Sequence, residues 1–236
     1  MKIAIMQPYF FPYIGYFSLI KNTDRFILFD TVQFIYHGWI ARNRILKPEN
    51  GWQYINVPLQ KHSREIKIKD VAIKDDLQWR ERIIAQLQHY KKSAPYFSTV
   101  MSLLNDVLFQ EYPGIVSVNQ ATLKAVCDYL EIKTSIETFS RMDLKVDDAA
   151  EPDEWALNIC KAMDGVTEYW NPPGGIQLFD RSKYESDKIK LVFQKVQLSE
   201  YDQGRLAHEA GLSIIDVMMF NGVSEINKML DDYELL

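Results

Sequence analysis

Two arginines flanking an asparagine, Arg42-Asn43-Arg44, form the clearest chemical pattern in the chain. On an extended segment residues two apart share a face, so both guanidiniums can grip one pyrophosphate or carboxylate. A solvated, salt-bridged pair is the plainer alternative. Upstream lies MQPYFFPYIGYF, residues 6–17. Gln7 offers an amide that both donates and accepts, to a ligand or within its own loop. Pro8 and Pro12 stiffen that loop at low entropic cost. Tyr9, Tyr13 and Tyr16 can stack on a base or sugar or hydrogen-bond a phosphate, whereas Phe10, Phe11 and Phe17 read as core. His37 and His62 are the histidines of the first quarter, and either can serve as a general base toward an attacking amine or as a structural side chain. NPPGG, residues 171–175, places Gly174 and Gly175 where a turn can expose consecutive N–H groups as an anion nest, or simply turn the chain. No residue is assigned as a metal ligand; Asp30, together with substrate phosphates, is the one place where a divalent ion is considered.

These groups need elements to hold them. Residues 3–6 and 26–29 read as short buried strands, with a helix ending near Asn22 between them. That is a βαβ unit, whose loop after the first strand lies at the ligand-binding edge of an open parallel sheet. Residues 52–59 predict a strand after a turn at 48–51, and 66–73 another strand pairing or a short connection. Trp79, Ile83, Leu87 and Tyr90 form an amphipathic helical stripe, 97–109 a second, and Asn119 is expected to cap a third helix. Strands are predicted over 134–139, 167–170 and 189–196, with a helix from near Pro152 to Met163. Residues 211–222 lead into a C-terminal helix, where Asp216 complements the dipole. The expected fold is one α/β domain over 1–236 with a mostly parallel sheet. Residues 1–75 and 132–236 form the sheet, and 76–131 a helical insertion.

The bulk numbers fit that fold. At 236 residues, 47% hydrophobic and 25% charged, the chain has an ordinary globular composition. No apolar run reaches the roughly 20 residues of a membrane span, and no secretory signal is read at the N-terminus, so a cytoplasmic protein is expected. Cys127 and Cys160 fall on apolar helix faces as buried thiols. A net charge of −5 argues against broad nucleic-acid binding. Residues 1–65 nevertheless carry eight Lys/Arg against four acids. That local excess suits an anionic ligand or merely coats strands and turns. The Walker, GxGxxG, GxSxG and zinc-ligand spacings are absent, which disfavours a P-loop kinase, an ordinary Rossmann dehydrogenase, an α/β-hydrolase and a zinc protein.

Tyr13-Ile14-Gly15-Tyr16 resembles the His-x-Gly-His loop of the HIGH superfamily, which includes pantothenate synthetase, with both histidines replaced by tyrosine. The resemblance implies a nucleotidyltransferase-like sheet, with Gly15 permitting close approach of ATP. Five blocks in order — MQPYFFPYIGYFSLI, RNRI…NGWQYINVPL, HYKKSAPYF, PPGG and GLSIIDVMMFNG — resemble the WbqC-like family of bacterial surface-polysaccharide clusters. That likeness implies an acyl or aminoacyl (glycine) transferase, or amide-forming enzyme, acting on a nucleotide-linked amino sugar with a small acyl or amino-acid donor. An acyl-adenylate, with ATP as cosubstrate, is one route. The alternative is a non-catalytic nucleotide-sugar or partner-binding protein with a degenerate HIGH-like site.

Overall fold

The computed structural model describes residues 1–75, 78–205 and 207–236, so the first two positions of the expected helical part lie outside the described residues. In chain order the strands and helices are β1 (Lys2–Met6), α1 (Ile14–Lys21), β2 (Arg25–Leu28), β3 (Arg42–Leu46), β4 (Trp52–Asn56), α2 (Trp79–Gln86), α3 (Phe97–Leu108) and α4 (Ile115–Tyr129). There follow β5 (Ser135–Thr138), α5 (Glu154–Ala162), β6 (Glu168–Asn171), α6 (Arg181–Ser186), β7 (Lys190–Val196), α7 (Ile214–Phe220), α8 (Val223–Asp231) and β8 (Tyr233–Leu235). The main sheet runs β5-β2-β1-β6-β7-β8. Its first five strands are parallel, and β8 closes the edge antiparallel to β7.

Side chains alternate across this sheet as the strand pleat requires. Ala4, Phe26, Leu28, Trp170 and Val192 point into one core, with α1, α3, α4, α7, α8 and the β3–β4 hairpin. Ile3, Ile5, Ile27, Tyr169, Leu191 and Phe193 point into the other, under α5 and α6. Both faces are covered, which explains why these strands read as continuous apolar runs. Taken in chain order the five parallel strands lie third, second, first, fourth, fifth. The order therefore reverses between β1 and β6. That reversal is the topological switch point of a doubly wound sheet, outside whose strand ends ligands bind.

Of the two alternatives for residues 66–73, the structure shows the short connection, a 3-10 turn (Ile68–Asp70) with isolated bridges Gln33↔Lys67 and Leu59↔Ile73. Three other expectations change in detail. The stripe from Trp79 to Tyr90 is split into α2 and a 3-10 turn (Gln88–Lys92), although all four apolar positions are buried. Asn119 lies inside α4, which starts after Gly114, and its amide donates to Pro8 O instead of capping a helix. Residues 214–220 are themselves helical (α7), with α8 following. Phe10, Phe11 and Phe17 are fully buried, as are both thiols, which burial pushes up to about 12. No helix among the described residues is long and apolar enough to cross a membrane.

Candidate functional site

A cleft of about 1010 Å³ opens where the sheet order reverses. Its floor is the end of β1 (Met6, Gln7) and the end of β6 (Asn171, Pro172). One wall comes from the hairpin side, with Trp39, Asn43 and Arg44. The other comes from the α5 side, with Glu151 and Trp155. This size and mixed apolar–polar lining suit a small organic ligand.

The loop after β1 is rigid because nearly every carbonyl in it has an assigned donor. Tyr16 Oη donates to Gln7 O (2.8 Å), Asn119 Nδ2 to Pro8 O (2.9 Å) and Asn43 Nδ2 to Phe10 O (3.0 Å). Ser213 Oγ donates to Phe11 O (2.7 Å) and the Ile214 N–H to Pro12 O (2.9 Å). Asn119 also donates to Ile40 O at 2.8 Å, so one buried amide joins this loop to the segment entering the hairpin. Phe11 is held at φ 39°, a left-handed conformation costly for a non-glycine residue. Such strain persists only where the surroundings over-determine it. Here the five bonds and the buried rings do so.

Of the residues singled out from sequence, Gln7, Tyr9, Tyr13, Asn43, Arg44, Gly174 and Gly175 line the cleft. Arg44 is its only lining cation among the described residues. Its guanidinium sits between the rings of Trp39 (5.4 Å) and Trp52 (5.2 Å), and Nη2 donates to Gly211 O at 3.0 Å. Nε is buried with no partner, and Nη1 has no hydrogen-bond partner among the described residues, so Nη1 keeps donor capacity for an anion. The hydroxyls of Tyr9 and Tyr13 have no hydrogen-bond partner among the described residues; burial raises both phenols above their ordinary value, Tyr9 also through its neighbour Tyr13. They stay neutral donors at any physiological pH. Asn43, by contrast, spends its amide internally, on Phe10 O and on the Arg44 N–H (2.8 Å).

The remaining candidates stand elsewhere. Arg42 shares the β3 face with Arg44 but lies over the Tyr54 ring at 4.2 Å and donates to His37 O. His37 is exposed at φ 62°, and His62 stacks on Tyr36 with centroids 5.0 Å apart; neither lines the cleft. Pro8 is buried, and Tyr16 is turned into the core. The space above Gly15 is filled by the Tyr13 ring, 2.5 Å from where a Cβ would sit, rather than left for a nucleotide. The glycine pair is a 3-10 turn (Pro173–Gly175): the Gly175 N–H is spent on Pro172 O (3.0 Å), so only the Gly174 N–H stays unpartnered. Asp30 is buried, its carboxylate oxygens accepting from the Ser140 N–H (3.0 Å) and hydroxyl (2.6 Å), and it does not line the cleft.

The sequence pattern of the WbqC-like protein family matches residues 7–228, nearly the whole chain. The chain belongs to the WbqC-like family. A curated relative, the uncharacterized protein Rv1507c of Mycobacterium tuberculosis (strain ATCC 25618 / H37Rv), is 30% identical over 223 residues, 93% of each chain. No solved structure matches.

Several parts of the WbqC-like cleft give no signal in the sequence. Trp39 and Glu151 lie in loops without periodicity, Trp155 sits in the first turn of α5, where nothing marks it as lining a cleft, and Asn171 ends β6 just before the glycine pair singled out from NPPGG. Asp216 is fully buried, accepting from Tyr90 Oη and Tyr201 Oη (each 2.6 Å) and Gln203 Nε2 (2.9 Å). Gln203 in turn bonds the backbone of Glu209. This network fixes the segment that carries Gly211, the acceptor for Arg44.

Proposed function

We propose that this protein is a cytoplasmic acyl or aminoacyl transferase that forms an amide on a nucleotide-linked amino sugar for surface-polysaccharide synthesis. One observation carries the reading: the switch-point cleft presents a single under-used guanidinium, Arg44, beside two unpartnered phenols and an uncharged floor. A diphosphate suits the guanidinium, a sugar suits the hydroxyls, and aromatic walls suit a planar base or pyranose face. Family membership supports the polysaccharide setting.

The adenylate route has weaker support in the geometry. Tyr16 is turned away and Tyr13 covers Gly15, so the loop offers ATP no cation of its own. The donor in this reading therefore arrives activated. Purified protein is incubated with a nucleotide amino sugar and glycyl donors, with and without ATP, and the sugar is weighed by mass spectrometry. A gain of one glycyl residue is expected. An unchanged sugar with every donor leaves the second reading, a non-catalytic binder, which the placement of His37 and His62 outside the cleft favours.

A further inference from the structure

Arg44 and Glu151 are the two charged side chains lining the cleft among the described residues. They come from opposite sides of the sheet. The β3–β4 hairpin packs with one core, and α5, which follows Glu151, packs with the other. The Glu151 carboxylate has no hydrogen-bond or ion-pair partner among the described residues, yet its backbone is pinned. Its N–H donates to Glu154 Oε2 (3.2 Å), and its carbonyl accepts the Glu154 N–H (3.1 Å). The Ala150 N–H reaches the same carboxylate oxygen at 2.9 Å, and Glu154 Oε1 accepts from Lys183 at 2.9 Å. Glu154 thus serves as the local anchor, and Glu151 has a held backbone and an unspent carboxylate on the cleft wall.

A ligand bearing only negative charge would meet repulsion from Glu151, and one bearing only an amine would meet repulsion from Arg44. The two together match an anion and an ammonium joined by an uncharged body. We propose that Glu151 recognises a primary ammonium on the ligand while Arg44 holds its anionic group. This deepens the amino-sugar reading and rests on it, because it commits the site to a free-amine sugar rather than an N-acylated one. An amino acid carries the same paired charges, and the experiment separates the two sources.

The full-length protein and its Glu151→Gln variant are titrated calorimetrically at pH 7 with UDP-glucosamine, UDP-N-acetylglucosamine and glycine. The wild type is expected to bind the free-amine sugar about tenfold more tightly than the acetylated one, as a charge-assisted hydrogen bond warrants. Glu151→Gln should erase that preference, weakening binding of the free-amine sugar several-fold, while the acetylated sugar, relieved of the carboxylate's repulsion, binds the variant as well as or slightly better than the wild type. If glycine instead shows the Glu151-dependent binding, the recognised amine belongs to the donor. Equal binding of the two sugars, or a preference that survives in Glu151→Gln, overturns the proposal while leaving the nucleotide-sugar reading intact. No binding of any of the three overturns both. Because Glu151 is exposed, equal melting temperatures for variant and wild type exclude a folding artefact.

Discussion

A methyl group on Gly15 would stand 2.5 Å from the far edge of the Tyr13 ring. That ring is a movable side chain, so Gly15→Ala should cost less than about 1 kcal/mol of stability yet displace Tyr13 from the cleft. The expected outcome is a near-normal melting temperature with several-fold weaker ligand binding, read by thermal melts and titration on one sample. Asp216 makes a different prediction. Burial raises its carboxyl above the ordinary range, against the opposing hydrogen bonds from Tyr201, Tyr90 and Gln203. A folded pKa above the unfolded value means the native state binds more protons in that window, so stability falls as pH rises through it. Asp216→Asn holds the group neutral. The variant's melting temperature should therefore rise relative to wild type as pH goes from about 4, the unfolded carboxyl value, toward 7. A difference that stays flat with pH would refute the assignment. Residue types were legible in the sequence here, but their surroundings were not: Asp216 reads as a helix-dipole acid, and its phenol partners lie 126 and 15 residues away.

At the scale of elements, the turn after β6 separates two adjacent glycines. A Cβ on Gly175 would meet Asn171 Oδ1 at 2.4 Å and the Phe179 ring at 2.8 Å, whereas one on Gly174 meets nothing within 4 Å. Gly175→Ala should thus destabilise by about 1–3 kcal/mol, the usual cost of overpacking, and Gly174→Ala by almost nothing. Denaturant titration of both variants checks the contrast. Sequence periodicity located the parallel strands well because each is buried on two faces and reads as an apolar run. It located α2 less well, since a stripe of four, four and three residues does not distinguish one helix from a helix and a 3-10 turn. The hairpin shows the limit of pattern reading. Arg42 and Arg44 do share a face, but positions two apart on a strand lie about 6.6 Å from each other. The cleft's edge falls between them, leaving Arg42 over Tyr54.

Across the whole molecule, the strand order decides where ligand chemistry can occur. The first βα unit could be read from local sequence, whereas the reversal between β1 and β6 joins residues more than 160 apart and could not. That reversal brings the stiff aromatic loop, the hairpin and the turn after β6 to one cleft. It leaves His37 and His62 outside, a placement that loops without periodicity do not reveal in the sequence. The central claim is that Arg44 in this cleft holds the anionic part of a nucleotide-linked ligand. Calorimetric titration of a UDP-linked amino sugar into wild type and Arg44→Met tests it most directly. The account predicts saturable binding to the wild type and at least about tenfold weaker binding to the variant, the loss of a charge-assisted contact, with a melting temperature lowered by no more than about a few degrees as the bond to Gly211 O is lost. Equal affinity in the two proteins would contradict it.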